Sequence, residues 1–144
     1  ETIRPISSVD DEIAVVLRES RKLLQASGVS VEPDQDIVRA LVLIFHELRN
    51  GQTLDGRSTD RLASAVLSTA EAVSVAHAMG VYAYYYRDGV MQAEDFTDFL
   101  VGAVVKNNVA DIKRINHYFE SEVAPRKEPV WQIIYERWRK SFRF

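Results

Sequence analysis

Apolar side chains recur at three-, four- and seven-residue steps through most of the chain, which is the spacing of helices that bury one face. Ile13, Val16, Leu17 and Leu24 form the first such set. Ser7 and Ser8 precede it, followed by Asp10, Asp11 and Glu12, where acidic residues favour a helix start. Gly28 stands where a left-handed residue ends a helix, so the pattern predicts helix over 8–27. Pro33 suits a first helical position, and Ile37, Leu41, Ile44, Phe45 and Leu48 make one stripe running to Asn50-Gly51, predicting a second helix over 33–49.

Residues 50–67 break this rhythm. Gly51, Asp55-Gly56, Arg57, Ser58, Thr59, Asp60 and Arg61 carry turn chemistry and no period, and a loop of that length in a compact domain needs a structural or functional reason. Ser68 and Glu71 then make the S-x-x-E pattern of a capping box. They open a third helix with Ala72, Val75, Ala76 and Met79 inward, continuing through Gly80 to about Tyr86, where Asp88-Gly89 stops it. Ala93-Glu94-Asp95 is another acidic start, with Phe96, Phe99, Leu100, Ala103 and Val104 as the apolar face of a helix ending near Lys106-Asn107-Asn108. Two further helices follow, 109–122 with Ile112, Ile115 and Phe119 inward, and 129–142 opened by Pro129, with Ala124-Pro125 between them. Only residues 2–6 resemble a strand. The fold class is therefore all-α, a compact bundle of about five to six helices with a long loop between helices two and three.

Composition narrows the functions available. With 144 residues, 47% hydrophobic and 27% charged, the chain has the balance of one folded domain in water. A net charge of -3 gives no basic footprint for nucleic acid, and no apolar run reaches the roughly 20 residues that span a bilayer. Neither nucleic acid nor membrane is expected as a partner. There is no cysteine, which removes disulfides and thiolate metal sites and fits a cytoplasmic location. The chain does not begin with Met and reads as part of a longer protein.

Candidate chemistry is sparse. No G-x-x-x-x-G-K-[ST], G-x-G-x-x-G or G-x-S-x-G motif occurs, so the chain has no phosphate cradle or nucleophile elbow and is not expected to be an enzyme by itself. His46-Glu47 has Asn50 where a metal-binding H-E-x-x-H needs its second histidine, and His46, His77 and His117 are dispersed, so no metal site is expected. Tyr82, Tyr85 and Tyr86 share a helix face and read as packing. On the last helix Trp131, Tyr135, Trp138 and Phe142 form a stripe between Arg137, Arg139, Lys140 and Arg143. That stripe reads first as a docked face; Trp131, Tyr135 and Trp138 are also the candidate partner-binding residues. The helix start at Ser68, with Arg57 and Arg61 in the loop before it, is the best candidate anion site, since helix N-termini and guanidinium groups both attract anions. Glu71 in the first turn competes for the same position.

Four segments in order, Ile44-Phe45-His46-Glu47-Leu48-Arg49-Asn50-Gly51, Asp55-Gly56-Arg57, Leu67-Ser68-Thr69-Ala70-Glu71-Ala72 and Leu100-Val101-Gly102-Ala103-Val104-Val105-Lys106, resemble the C-terminal part of MoxR-type AAA+ ATPases over roughly residues 1–140. The resemblance implies a helical lid, residues 8–144, that follows a nucleotide-binding core. Residues 2–6 resemble the strand leaving that core. It also implies ATP and Mg as cofactors of the parent protein, the chain's own AAA+ core and neighbouring subunits as partners, and action beside proteins with a von Willebrand factor A domain in remodelling or metal insertion. Many AAA+ lids carry a phosphate-sensing arginine where this chain has Thr69, Ala70 and Glu71, so Arg57 and Arg61 become the candidate substitutes, with Ser68, Thr69 and Glu71 shaping the helix end near the nucleotide. The alternative expectation is a free-standing helical module that binds a partner protein through a groove or its aromatic helix.

Overall fold

Helix α1, Val9–Ala26, begins where the Ser8 hydroxyl accepts from the Asp11 N–H. It ends in a Schellman motif: Gly28 at φ 72° donates to the Gln25 carbonyl and Val29 donates to Leu24. Both ends follow from local side-chain chemistry, and both match the sequence expectation. The coordinates are a computed structural model that describes residues 8–62, 67–104 and 109–142. The strand expected at residues 2–6 lies outside the described residues.

Helix α2, Gln35–Asn50, starts later than Pro33 suggests, because Asp34 takes the N-cap and accepts from the Ile37 N–H at 3.0 Å. Gly51 closes it in the left-handed region. Val38, Ala40 and Val42 are buried along with the expected stripe of Ile37, Leu41, Ile44, Phe45 and Leu48, so α2 is covered on most sides rather than on one. This follows from its place in the bundle, where helices before and after it in sequence pack on it.

The loop after α2 folds back on that helix. Gln52 and Ser58 form an antiparallel bridge, Thr53 donates to the Arg57 carbonyl, and Leu62 donates to the Leu48 carbonyl. Leu62 and Leu67 are buried, which ties both ends of the loop to the core.

Helix α3, Thr69–Tyr86, begins at Ser68 as its cap predicts. It runs alongside α1 in the same direction: Thr69 meets Glu12, and Gly80 meets Leu24. A Cβ on Gly80 would lie 2.6 and 2.8 Å from the two terminal carbons of the fully buried Leu24. Close helix contact explains a glycine inside a helix, despite its cost of about 1 kcal/mol relative to alanine.

Helix α4, Ala93–Val104, buries Phe96 and Leu100 as expected, while Phe99 and Ala103 pack at the margin. The side chain of Val104 and its expected helix end near residues 106–108 lie outside the described residues. Helix α5, Val109–Tyr118, does not continue to 122 as an α-helix: it widens into a π-helical segment, Phe119–Val123. The Ala124 N–H donates to the Phe119 carbonyl across that wider turn. The extra residue brings both Tyr118 and Phe119 inward, while Ile112 is only half-buried. Helix α6, Pro129–Ser141, opens with Pro129 as expected. The described residues hold six α-helices, the π-helical segment and no strand, an all-α bundle.

Candidate functional site

The Ser68 helix start is a built cluster. Ser68 Oγ accepts the Glu71 N–H at 3.1 Å, one half of the capping box. Thr69 Oγ1 donates to Glu12 Oε2 at 3.0 Å, reaching the carboxylate that α1 carries in its first turn. Arg49, at the end of α2, donates to Glu12 Oε1 at 3.0 Å and to the Leu67 carbonyl at 2.8 Å. Glu12 is only 2% exposed. The α3 start, α1 and the end of α2 are therefore tied together around one buried carboxylate of the chain itself. An incoming phosphate at this helix end would compete with Glu12 for Thr69 and Arg49, in addition to meeting Glu71.

The two loop arginines face different neighbours. Arg61 donates from Nε to the backbone carbonyl of Arg49 at 3.2 Å, at the end of the helix whose Arg49 guanidinium holds Glu12. Its Cβ would sit 3.2 Å from a Cβ on Gly51, so that glycine also gives Arg61 room. Arg57 instead forks onto Glu122 of the π segment, with contacts of 3.1 and 3.2 Å, and its Nε donates to Asp55. Both carboxylates raise its pKa, Asp55 foremost. Of the five expected residues the structure gathers Ser68, Thr69 and Glu71 at one helix start, links Arg61 to it through Arg49, and ties Arg57 to Glu122.

Trp131 and Trp138, expected at a partner surface as the alternative to docking, are taken up by the domain's own core. Trp138 is fully buried and stacks on Phe119 at 4.9 Å between ring centroids. Trp131 is 6% exposed, with the Arg126 guanidinium 4.3 Å from its ring centroid. Tyr135 is half-buried and donates its hydroxyl to Glu120 at 3.0 Å. The docked-stripe expectation describes these residues, because the π segment presents Phe119 to them.

Sequence reasoning missed a second cluster. Glu47 on α2 is 2% exposed and accepts from the Tyr118 hydroxyl at 2.6 Å and from Arg126 Nη2 at 2.7 and 2.9 Å. Burial works against the Arg126 charge, but Tyr118 and Glu47 outweigh it and leave the guanidinium pKa raised. Burial first, then Glu47, pushes the Tyr118 hydroxyl well above its ordinary 10.0. Its partners lie 71 and 79 residues from Glu47 in sequence, and only the E-L-R-x-G segment hinted that Glu47 matters. A cleft of about 290 Å³ opens beside this cluster, with Leu54, Asp55, Arg57, Arg126, Glu128 and Trp131 in its walls. Asp55, Arg57 and Arg126 all hold partners from within the chain, so none stands poised as a nucleophile or base. Among the described residues no group of His, Asp and Glu is arranged to hold a metal, and no helix is long and apolar enough to cross a membrane.

The Tyr118 arrangement has a measurable consequence. Above pH 10 the unfolded chain releases this proton while the folded domain keeps it, so stability falls as pH rises, by up to about 1.4 kcal/mol per unit. Tyr118→Phe removes that dependence. Urea unfolding from pH 8 to 11 is expected to show a wild-type advantage that shrinks above pH 10; an advantage that stays constant would refute the assignment.

Residues 10–142 match the family described as YehL-like AAA+ ATPase C-terminal domain. The chain belongs to that family. It is 36% identical over 137 residues to "Uncharacterized protein YehL" of Escherichia coli (strain K12), a match covering 94% of the chain and 37% of that protein. The chain thus spans little more than a third of this YehL relative. No solved structure matches the chain. The motif residues that first suggested an AAA+ lid also acquire structural roles: Glu47 and Arg49 hold the two buried clusters, Gly51 and Gly56 take positive φ, and Ser68 caps α3.

Proposed function

We propose that this YehL-type domain is the lid of a MoxR-type AAA+ ATPase, without activity alone, that transmits nucleotide state within a ring to a partner protein. The observation that carries the reading is the AAA+ C-terminal domain match across residues 10–142. In this reading ATP and Mg bind in the parent's core, the lid contacts its own core and neighbouring subunits, and the cytoplasmic assembly remodels, or inserts metal into, a partner bearing a von Willebrand factor A domain. The cross-bracing by Glu12 and Arg49 supports it physically. A lid that moves with nucleotide state has to move as one body, and these contacts join the first three helices at one end. Arg61, held only on the backbone carbonyl of Arg49, is the loop arginine taken as acting with the α3 start; Arg57 would first have to leave Glu122.

The test uses the full-length parent protein. Magnesium-dependent ATP hydrolysis is expected, and deleting residues 8–144 should abolish or strongly reduce it. Arg61→Ala should lower turnover with the fold intact by circular dichroism, and more so than Arg57→Ala. Absence of ATP hydrolysis in the full-length protein, or hydrolysis indifferent to the deletion, would sink the lid reading and leave a helical interaction module.

A further inference from the structure

The tip of the loop after α2 is a turn held from within. The Gly56 N–H donates to the Thr53 carbonyl at 3.0 Å, and the Thr53 N–H donates to the Arg57 carbonyl at 2.9 Å. Asp55 accepts from the Thr53 hydroxyl and from Arg57 Nε. Leu54, at the centre of this turn, stands 58% exposed. A single exposed leucine is ordinary on a protein surface. This one is fixed in place on the cleft of about 290 Å³, which it lines together with Leu43 and Trp131. An arriving apolar side chain therefore meets a preformed seat and orders little of the loop on binding.

The charges around the cleft decide the sign of what it accepts. Glu47 and Glu122 are buried and hold Arg126 and Arg57, one carboxylate to each guanidinium. Asp55 and Glu128 come in addition, so four carboxylates stand against two cations, a surplus of two negative charges. The side chain of Asp55 is 65% exposed. Glu128 is exposed in front of α6, where it neither caps that helix nor pairs with a cation among the described residues. An anion would meet this surplus as repulsion, and a cation as attraction.

We propose that the cleft between residues 53–57 and the start of α6 is a docking site for a segment of a partner protein that carries an apolar side chain beside a lysine or arginine. The apolar side chain packs on Leu54, Leu43 and Trp131, and the cation lies by Asp55 and Glu128. The exposed carboxylates are screened by solvent and chiefly select and steer the partner, while burial of Leu54 supplies affinity. The assignment goes beyond the lid reading and does not depend on it.

The test is binding of a short fluorescein-labelled peptide of alternating leucine and arginine to the full-length protein, followed by fluorescence anisotropy. Leu54→Ser is expected to weaken binding about tenfold. Glu128→Gln should weaken it several-fold at low salt, and that difference should shrink as ionic strength rises. Both positions are exposed, so both variants should keep the wild-type unfolding midpoint, which separates lost binding from lost fold. Failure of the peptide to bind, or binding that neither substitution changes, would overturn the site. Equal binding of a peptide with serine in place of leucine, or glutamate in place of arginine, would overturn the stated partner chemistry. Binding that appears only on dilution to the monomer would place a second copy in the cleft and overturn the choice of occupant.

Discussion

Glu47→Ala is expected to destabilise the domain by about 3–5 kcal/mol, the cost typical of removing one partner from a buried ion pair. The carboxylate is the shared acceptor for Tyr118 and Arg126. Without it a guanidinium whose side chain is 20% exposed and a fully buried hydroxyl both lose their partner, and water has little access to replace it. Since a domain of this size usually has about 5–15 kcal/mol of stability in total, the loss is a large share of what keeps the domain folded. Glu47→Gln keeps an acceptor oxygen and should fall between the two. The decisive comparison is the triple variant Glu47→Met, Tyr118→Phe, Arg126→Met, which removes every member and leaves no orphan. Urea unfolding should place it well above Glu47→Ala, because the damage in the single variant comes from unpaired buried groups rather than from lost attraction. A triple variant no more stable than Glu47→Ala would show that Glu47 matters through shape and packing instead.

This cluster also shows where the sequence stops being informative. The ends of α1 and α3 could be read in advance because the residues that decide them, Ser8, Gly28 and Ser68, act within a few positions of the ends themselves. The start of α2 was displaced because Pro33 and Asp34 are both helix-starting residues, and local rules do not rank a first-turn proline against an adjacent cap. The π segment was invisible for a different reason. A period of 3.6 links Ile112, Ile115 and Phe119 without strain, and the inserted residue is revealed only when Phe119 must meet Trp138 while Tyr118 meets Glu47. Among candidate site residues the helix start at Ser68 was legible from its cap. The Glu12 carboxylate that occupies its surroundings was not, since it comes from 57 residues earlier. Arg57 and Arg61 looked equivalent in the loop, and only tertiary structure separates them by giving one Glu122 and the other the Arg49 carbonyl.

Trp138→Ala should cost a comparable amount, about 3–5 kcal/mol, through lost burial and the cavity left behind. The side chain is fully buried, stacks almost parallel to Phe119 at 16° between ring planes, and touches Tyr135 one turn earlier. Its removal takes away the surface against which the π segment is held, so the loss should extend beyond α6. Phe119 would face a void, and the neighbouring Glu122 would lose the fixed position from which it receives Arg57. Trp138→Phe should be much milder than Trp138→Ala: it keeps a ring for the stack and removes an indole N–H that is buried without a partner. The chain has two tryptophans, and Trp131 lies under Arg126, so fluorescence from the Trp138→Ala variant reports on the Glu47 cluster alone. Urea unfolding followed by that signal and by far-ultraviolet circular dichroism should show one coincident transition at lower denaturant in Trp138→Ala, because the two clusters share the Tyr118-Phe119 junction. If Trp131 kept its wild-type midpoint while helix content was lost earlier, the two clusters would be independent and the π segment would not be what couples α6 to α2.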